Sequence, residues 1–226
     1  NKIAKRFPKK QLCTLAYLHT YNPPINLKIA SNITTLFCPI EMDRGNPISL
    51  KNNNKPVANA LARWQSASKN LFVWDYTVQF ANYMSPFPNL SYFEENYTTF
   101  KANNVKGLFV QGYADVPGDF SELRQYLLAK LLWDASIDVK ATTADFLRGF
   151  YGKAASEIEN YLKLLSENQK KSKAYLDIYS GPVQNRTTYL TPEAMNQYDK
   201  FLEKAWQAVD EDKTIQKRVE KLRLAL

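Results

Sequence analysis

Residues 71–77 read Leu71-Phe72-Val73-Trp74-Asp75-Tyr76-Thr77, and residues 105–113 read VKGLFVQGY. Both are short, nearly continuous apolar runs that end in polar or aromatic side chains. That composition suits strands of a parallel sheet covered on both faces, rather than the strict alternation of a half-solvated strand. Residues 11–20 (QLCTLAYLHT) and 33–42 (ITTLFCPIEM) have the same character. Four strands are therefore expected, adjacent and parallel.

Helical signals separate the later strands. Pro56 opens a helix to Ser68 with Val57, Leu61 and Trp64 at helical spacing, and Ser91 with Glu94 forms a capping box for a helix to about residue 103. Strand–helix–strand spacing of this kind builds βαβ units. The first crossover, residues 21–32, contains Pro23-Pro24 and reads as non-helical. After Tyr113 the strands stop. Asp119 and Glu122 cap a helix through Trp133, and a second starts near Thr142 and runs past Tyr151-Gly152 to about Tyr175. Thr191-Pro192-Glu193 starts a third helix, with Ala194, Tyr198, Phe201, Leu202, Ala205, Trp206 and Val209 on one core stripe. The expected organisation is βα units over residues 1–118 and a helical region over 119–226.

The 226 residues are 45% hydrophobic, enough for one sizeable core or for one and a half modest domains. No apolar run reaches the ~20 residues that cross a bilayer, so no membrane span is expected. The chain begins at Asn1 with no charged-then-apolar leader, which implies a processed N-terminus or a cut from something longer. Cys13 and Cys38 are too few for a disulfide framework and read as buried free thiols. A single histidine, His19, excludes a multi-histidine metal site, and no metal or cofactor is implied. Cys13 and His19 lie too far apart along one strand, at ~3.3 Å per residue, to act as a nucleophile pair.

The net charge of +8 is uneven. Residues 1–70 carry eleven Lys and Arg against Glu41 and Asp43, whereas residues 71–150 are net acidic. A basic first third fits nucleic acid, an acidic sugar or an acidic neighbouring segment. Zinc-finger spacing and a ribonucleoprotein-type aromatic box are both missing, so a nucleic-acid partner is not expected.

The ordered set LAYLHTYNPP, LFVWDYTVQF with PFPNL, VKGLFVQGY, ELRQYLLAKLLWD and FLRGFYGKAA resembles an uncharacterised domain family over residues 12–165. That family occurs in the polysaccharide-degrading systems of gut bacteria, behind a small α-glucuronidase- or hexosaminidase-type domain. Its members look like (β/α)8-barrel glycoside hydrolases. The resemblance implies an α/β chain that is the C-terminal half of such a barrel, with four parallel strands followed by a helical extension. The four strands would be strands five to eight, and the acid catalyst that relatives carry on strand four would be absent. The implied function is action on glycosidic bonds in full-length form, with this stretch alone inactive; the alternative is a non-catalytic carbohydrate-binding or scaffold module. A periplasmic or extracellular setting and a carbohydrate ligand go with it. Self-association is expected through an open strand edge bearing Leu12, Leu15 and Leu18.

In a barrel, functional groups gather at the strands' C-terminal ends. The candidates there are Tyr17, His19, Glu41, Asp43, Trp74, Asp75, Tyr76, Gln111 and Tyr113. Asp75 closes an apolar strand, where an unpaired carboxylate is expensive to bury. It either serves as a catalytic or sugar-binding carboxylate, paired with Glu41, or braces the wall through Arg63 or Lys69. Glu41 could instead neutralise Arg44. Glycoside hydrolysis needs two carboxyls at ~5–9.5 Å. Tyr17, His19, Tyr76, Gln111 and Tyr113 are the candidate substrate-binding residues. If Asp75 points into the barrel, strand parity sends Trp74 and Tyr76 outward.

Overall fold

The structure, a computed structural model, describes residues 2–113 and 118–226. It divides into two compact units, Asn1–Thr77 with Glu95–Gly112, and Val78–Glu94 with Tyr113–Leu226. Residues 78–94 group with the helices, and the second unit resumes at Tyr113 rather than after residue 118.

The first unit holds α1 (Lys2–Arg6), β1 (Leu12–Ala16), β2 (Ile33–Phe37), α2 (Lys55–Ala67), β3 (Asn70–Tyr76), most of α3 (Phe93–Ala102) and β4 (Gly107–Gln111). The strands form one parallel sheet in sequence order, β1-β2-β3-β4. Its register runs Leu12↔Ile33, Thr34↔Asn70 and Phe72↔Gly107. The strands are shorter than their apolar runs. β1 stops before Leu18, which takes φ 47° and enters a 3-10 turn over Leu18–Thr20. Thr20 Oγ1 donates to Leu15 O at 3.0 Å and seals that end. β2 stops just before Cys38-Pro39, where the proline has no ladder donor to offer.

The two faces of the sheet differ. Thr35, Phe37, Leu71, Val73 and Asp75 share one parity and are buried. Thr35 Oγ1 bonds Ser68 Oγ at the end of α2 (3.2 Å), and the charge of Asp75 acts on Tyr97 of α3, so this face is the helix-covered one. The core of the unit lies here, against Val57, Leu61 and Trp64 of α2 and Tyr97 and Phe100 of α3. The opposite parity carries Cys13, Leu15, Leu36, Phe72, Trp74 and Phe109, all half-buried or exposed; Leu15 is 45% and Phe109 51% exposed. Cys13 is therefore exposed rather than buried as expected, and Cys38 alone is a buried thiol. The first crossover is non-helical, as its prolines imply, and α2 anchors it: Trp64 Nε1 donates to Tyr21 O at 2.7 Å and Arg63 Nη1 to Asn22 Oδ1 at 3.2 Å.

The second unit contains α4 (Ser121–Trp133), α5 (Val139–Tyr151), α6 (Ala155–Ser172), α7 (Pro182–Asn185), α8 (Pro192–Gln207) and α9 (Lys213–Arg223). α6 packs on α5 and α8, α8 on α9, and α4 on α5. Leu127, Leu147, Ile158, Tyr161, Tyr198, Leu202 and Val219 fill its core. Thr191 caps α8 as read, its Oγ1 accepting from Ala194 N at 3.2 Å. Other caps differ. Glu94 does not close a box with Ser91; it accepts from Val139 N at the start of α5 (3.4 Å). α4 begins after a left-handed Phe120 (φ 48°), while the Asp119 side chain accepts from Phe87 N (3.1 Å) and Arg124 Nη2 (3.2 Å). The long helix expected from Thr142 to Tyr175 breaks at Gly152 (φ 53°), and α9, capped by Asp212, has no counterpart in the sequence reading. Among the described residues no helix is long and apolar enough to cross a membrane.

Candidate functional site

The pleat decides which strand-end residues share a surface. Tyr17 continues β1 in extended conformation (φ −143°, ψ 139°), so it keeps the parity of Cys13 and Leu15. Tyr76 and Gln111 are register partners of that parity, but only Gln111 is half-buried; Tyr76, expected as a substrate-binding residue, is 6% exposed, with Arg44 against its ring. Trp74 stands between them. Its Nε1 donates to Gln111 Oε1 at 2.9 Å, its ring meets Phe109 edge-on at 4.6 Å, and it stacks at 6.1 Å on Tyr76. The indole is half-buried and fixed at three points. A flat apolar surface flanked by an amide results, and the donor end of Gln111 has no partner among the described residues.

Gly107 makes room for this face. A methyl group there would come within 2.4 Å of Phe72 Cε1, so only glycine lets the Phe72 ring lie across the start of β4.

Asp75 is elsewhere. It is 6% exposed on the helix-covered face, and its Oδ1 accepts from Tyr76 N at 2.9 Å. Burial raises its pKa above the usual carboxylate value, and the Arg44 charge and the Tyr76 N–H only offset this. Neither Arg63 nor Lys69 is its partner. Arg63 serves Asn22 and Pro23, and Lys69 precedes the N-terminal end of β3, about 20 Å along the strand at ~3.3 Å per residue. The cation beside Asp75 is Arg44, itself 2% exposed. Arg44 donates to the carbonyls of Pro39 (3.1 Å), Ile40 (3.0 Å), Met42 (2.6 Å) and Tyr76 (2.5 Å), and lies 5.4 Å from the centre of the Tyr76 ring. It ties the chain leaving β2 to the end of β3. No local sequence pattern distinguishes such a buried arginine from a surface one. Trp74, read from sequence as outward-pointing core, is the residue that organises the open face.

The other candidates separate. Glu41 is exposed in the turn after β2, on the same segment whose carbonyls hold Arg44. Asp43 is fully buried and engaged: Gly45 N, Asn46 Nδ2 and Asn53 Nδ2 donate to its carboxylate at 2.8–3.0 Å. It shapes a loop. His19 is exposed within the 3-10 turn. Tyr113 falls in the second unit, where its hydroxyl donates to Asp119 O at 2.7 Å and burial pushes its pKa up to about 12. The Cys38 thiol, raised to about 11 by burial, is tempered by a hydrogen bond with Tyr76. Among the described residues no cluster of His, Cys, Asp or Glu is arranged to hold a metal ion.

A protein-family model described as Domain of unknown function (DUF4838) matches residues 1–163, which take in the whole sheet and α2 to α5. No curated protein and no solved structure matches the chain.

Proposed function

The chain belongs to the DUF4838 family, and on that premise and the geometry of its sheet we propose that the uncovered face at the strand ends binds carbohydrate. Trp74 carries the reading. An indole locked by Gln111 and Phe109 offers a rigid apolar plane for the C–H face of a sugar ring, at little further entropic cost. Gln111 and the hydroxyl of Tyr17 supply the polar edge that sugar hydroxyls need. The same geometry supports reading the sheet as half of a (β/α)8-type barrel of the glycoside-hydrolase kind. Strands in sequence order, with helices on one face only, are how a barrel winds, and its other face would be the interior. Asp75, buried toward the helices, bonded to Tyr76 N and under the charge of Arg44, supports a wall role, so the activity proposed for this stretch is binding without turnover.

The test is a glycan array that includes glucuronoxylan and chito-oligosaccharides, probed with the chain and with Trp74→Ala. Binding that falls at least about tenfold in the variant, ~1.4 kcal/mol, is expected. Equal binding by both proteins, or by neither, contradicts the assignment.

The exposed Leu15, Leu18 and Phe109 favour a second reading, in which this face and the β1 edge pair with a second copy of the chain. Light scattering that shows a dimer, dissociated by Leu15→Lys, supports it; a monomer across the micromolar range excludes it.

A further inference from the structure

The second unit has a half-open cavity of about 430 Å³ between residues 87–94, the start of α5 and one stripe of α6. That size lies within the range of small-molecule sites, roughly 300–1,000 Å³. Phe87, Leu90, Val139, Leu162 and Leu165 give it apolar walls, and Asp119 lines it as well. At its rim stand Lys140, Lys163 and Lys170 against Glu94, Glu159 and Glu167, all exposed. Three charges of each sign leave the mouth without a net preference for ions.

Asp119 is the unusual member. It is 4% exposed and forms a buried ion pair with Arg124, 3.2 Å between Oδ2 and Nη2. Oδ2 also accepts from Phe87 N. Oδ1 is buried and has no hydrogen-bond partner among the described residues. A buried acceptor left without a donor is costly, so a fold that retains one gains from any ligand that supplies the donor. Arg124 already balances the charge. The lone pair therefore calls for a neutral donor, and a second cation would bring an unbalanced charge into an apolar cavity.

We propose that this cavity binds a neutral small molecule with an apolar body and a hydroxyl head, the hydroxyl donating to Asp119 Oδ1. The site is separate from the sheet face and stands or falls independently of sugar binding there.

Phenol and toluene are the probes, because they share a ring and nearly a volume while only phenol carries the donor. Titration of the whole chain, followed by amide NMR, should shift Ser91, Thr143 and Ser166 around the cavity. Phenol should bind about fivefold more tightly than toluene, the worth of one net hydrogen bond. Leu162→Trp, which fills the cavity from a half-buried position on α6 without touching the ion pair, should weaken phenol about tenfold or more. Equal affinity for the two probes overturns the proposal, as do shifts confined to other surfaces, no binding of either probe, or undiminished phenol binding by a folded Leu162→Trp protein. Should that variant not fold, the ratio of phenol to toluene affinity in the unaltered chain decides alone.

Discussion

Trp74 Nε1 donates to Gln111 Oε1 across 2.9 Å, joining the third and fourth strands on the one sheet face that no helix of the first unit covers. The bond fixes the indole plane and spends one end of the Gln111 amide, leaving the other for a ligand. Gln111→Ala should therefore cost about 1 kcal/mol of stability, one net hydrogen bond, read by urea denaturation. Its sugar affinity should fall severalfold, because the ring must then be ordered on binding. Unchanged stability and unchanged affinity together would show that the bond positions nothing.

Gly107→Ala places a methyl group 2.4 Å from Phe72 Cε1. Overpacking of this kind costs typically ~1–3 kcal/mol. The expected result is a lower melting temperature with the fold retained, and Phe72→Leu in the same chain should recover part of the loss. A melting temperature unaffected by Gly107→Ala would mean that the Phe72 ring does not lie across β4.

Arg44 holds three carbonyls of the loop after β2 and one at the end of β3 while buried, so Arg44→Met keeps much of the bulk and abandons every donor. Several acceptors then lose their partners and Asp75 loses its neighbouring cation. A loss of at least ~3 kcal/mol, or failure to accumulate folded protein, is expected from denaturation curves. By contrast Arg63→Met, which releases only Asn22 and the Pro23 carbonyl at the surface, should cost less than about 1 kcal/mol.

The pH dependence of stability separates Asp75 from an ordinary surface acid. Burial holds its folded pKa above the ordinary aspartate value of 3.8. The folded protein thus keeps a proton that the unfolded chain has released, so this group's stabilisation is full below pH 3.8 and is lost as pH rises through the folded value. Asp119, raised for the same reason, acts in the same direction, whereas Glu122, lowered chiefly by its bond to Lys221, contributes stability that is lost on acidification. Asp75→Asn should flatten the decline in stability between pH 4 and neutrality, measured by urea denaturation across that range. An identical slope in both proteins would place Asp75 in contact with water.

The sheet was legible because its strands are short apolar runs at βαβ spacing, and parity is fixed once any one residue is placed. Parity itself was not legible. In Leu71-Phe-Val-Trp-Asp-Tyr both faces carry large apolar groups, and the single charge at Asp75 suggested an opening where there is a buried carboxyl under the influence of the Arg44 charge. Arg44 lies 31 residues before Asp75, and no local periodicity links them. Capping signals worked where the capping side chain had no competing partner, as at Thr191. They failed at Asp119 and Glu94, whose carboxylates found Arg124 and Val139 N instead. Tertiary partners outbid local ones there.

The most direct test of carbohydrate binding at the open face is the indole N–H spectrum. The chain has four tryptophans, Trp64, Trp74, Trp133 and Trp206, each giving one side-chain signal assignable by substitution with phenylalanine. Titration with the glycan selected on the array should move the Trp74 signal, because its N–H is shared with Gln111 beside the proposed sugar plane. Trp64, bonded to Tyr21 O, and Trp133 and Trp206 in the second unit should stay in place. Movement of Trp133 or Trp206 with Trp74 unchanged, under saturating glycan, would contradict the account.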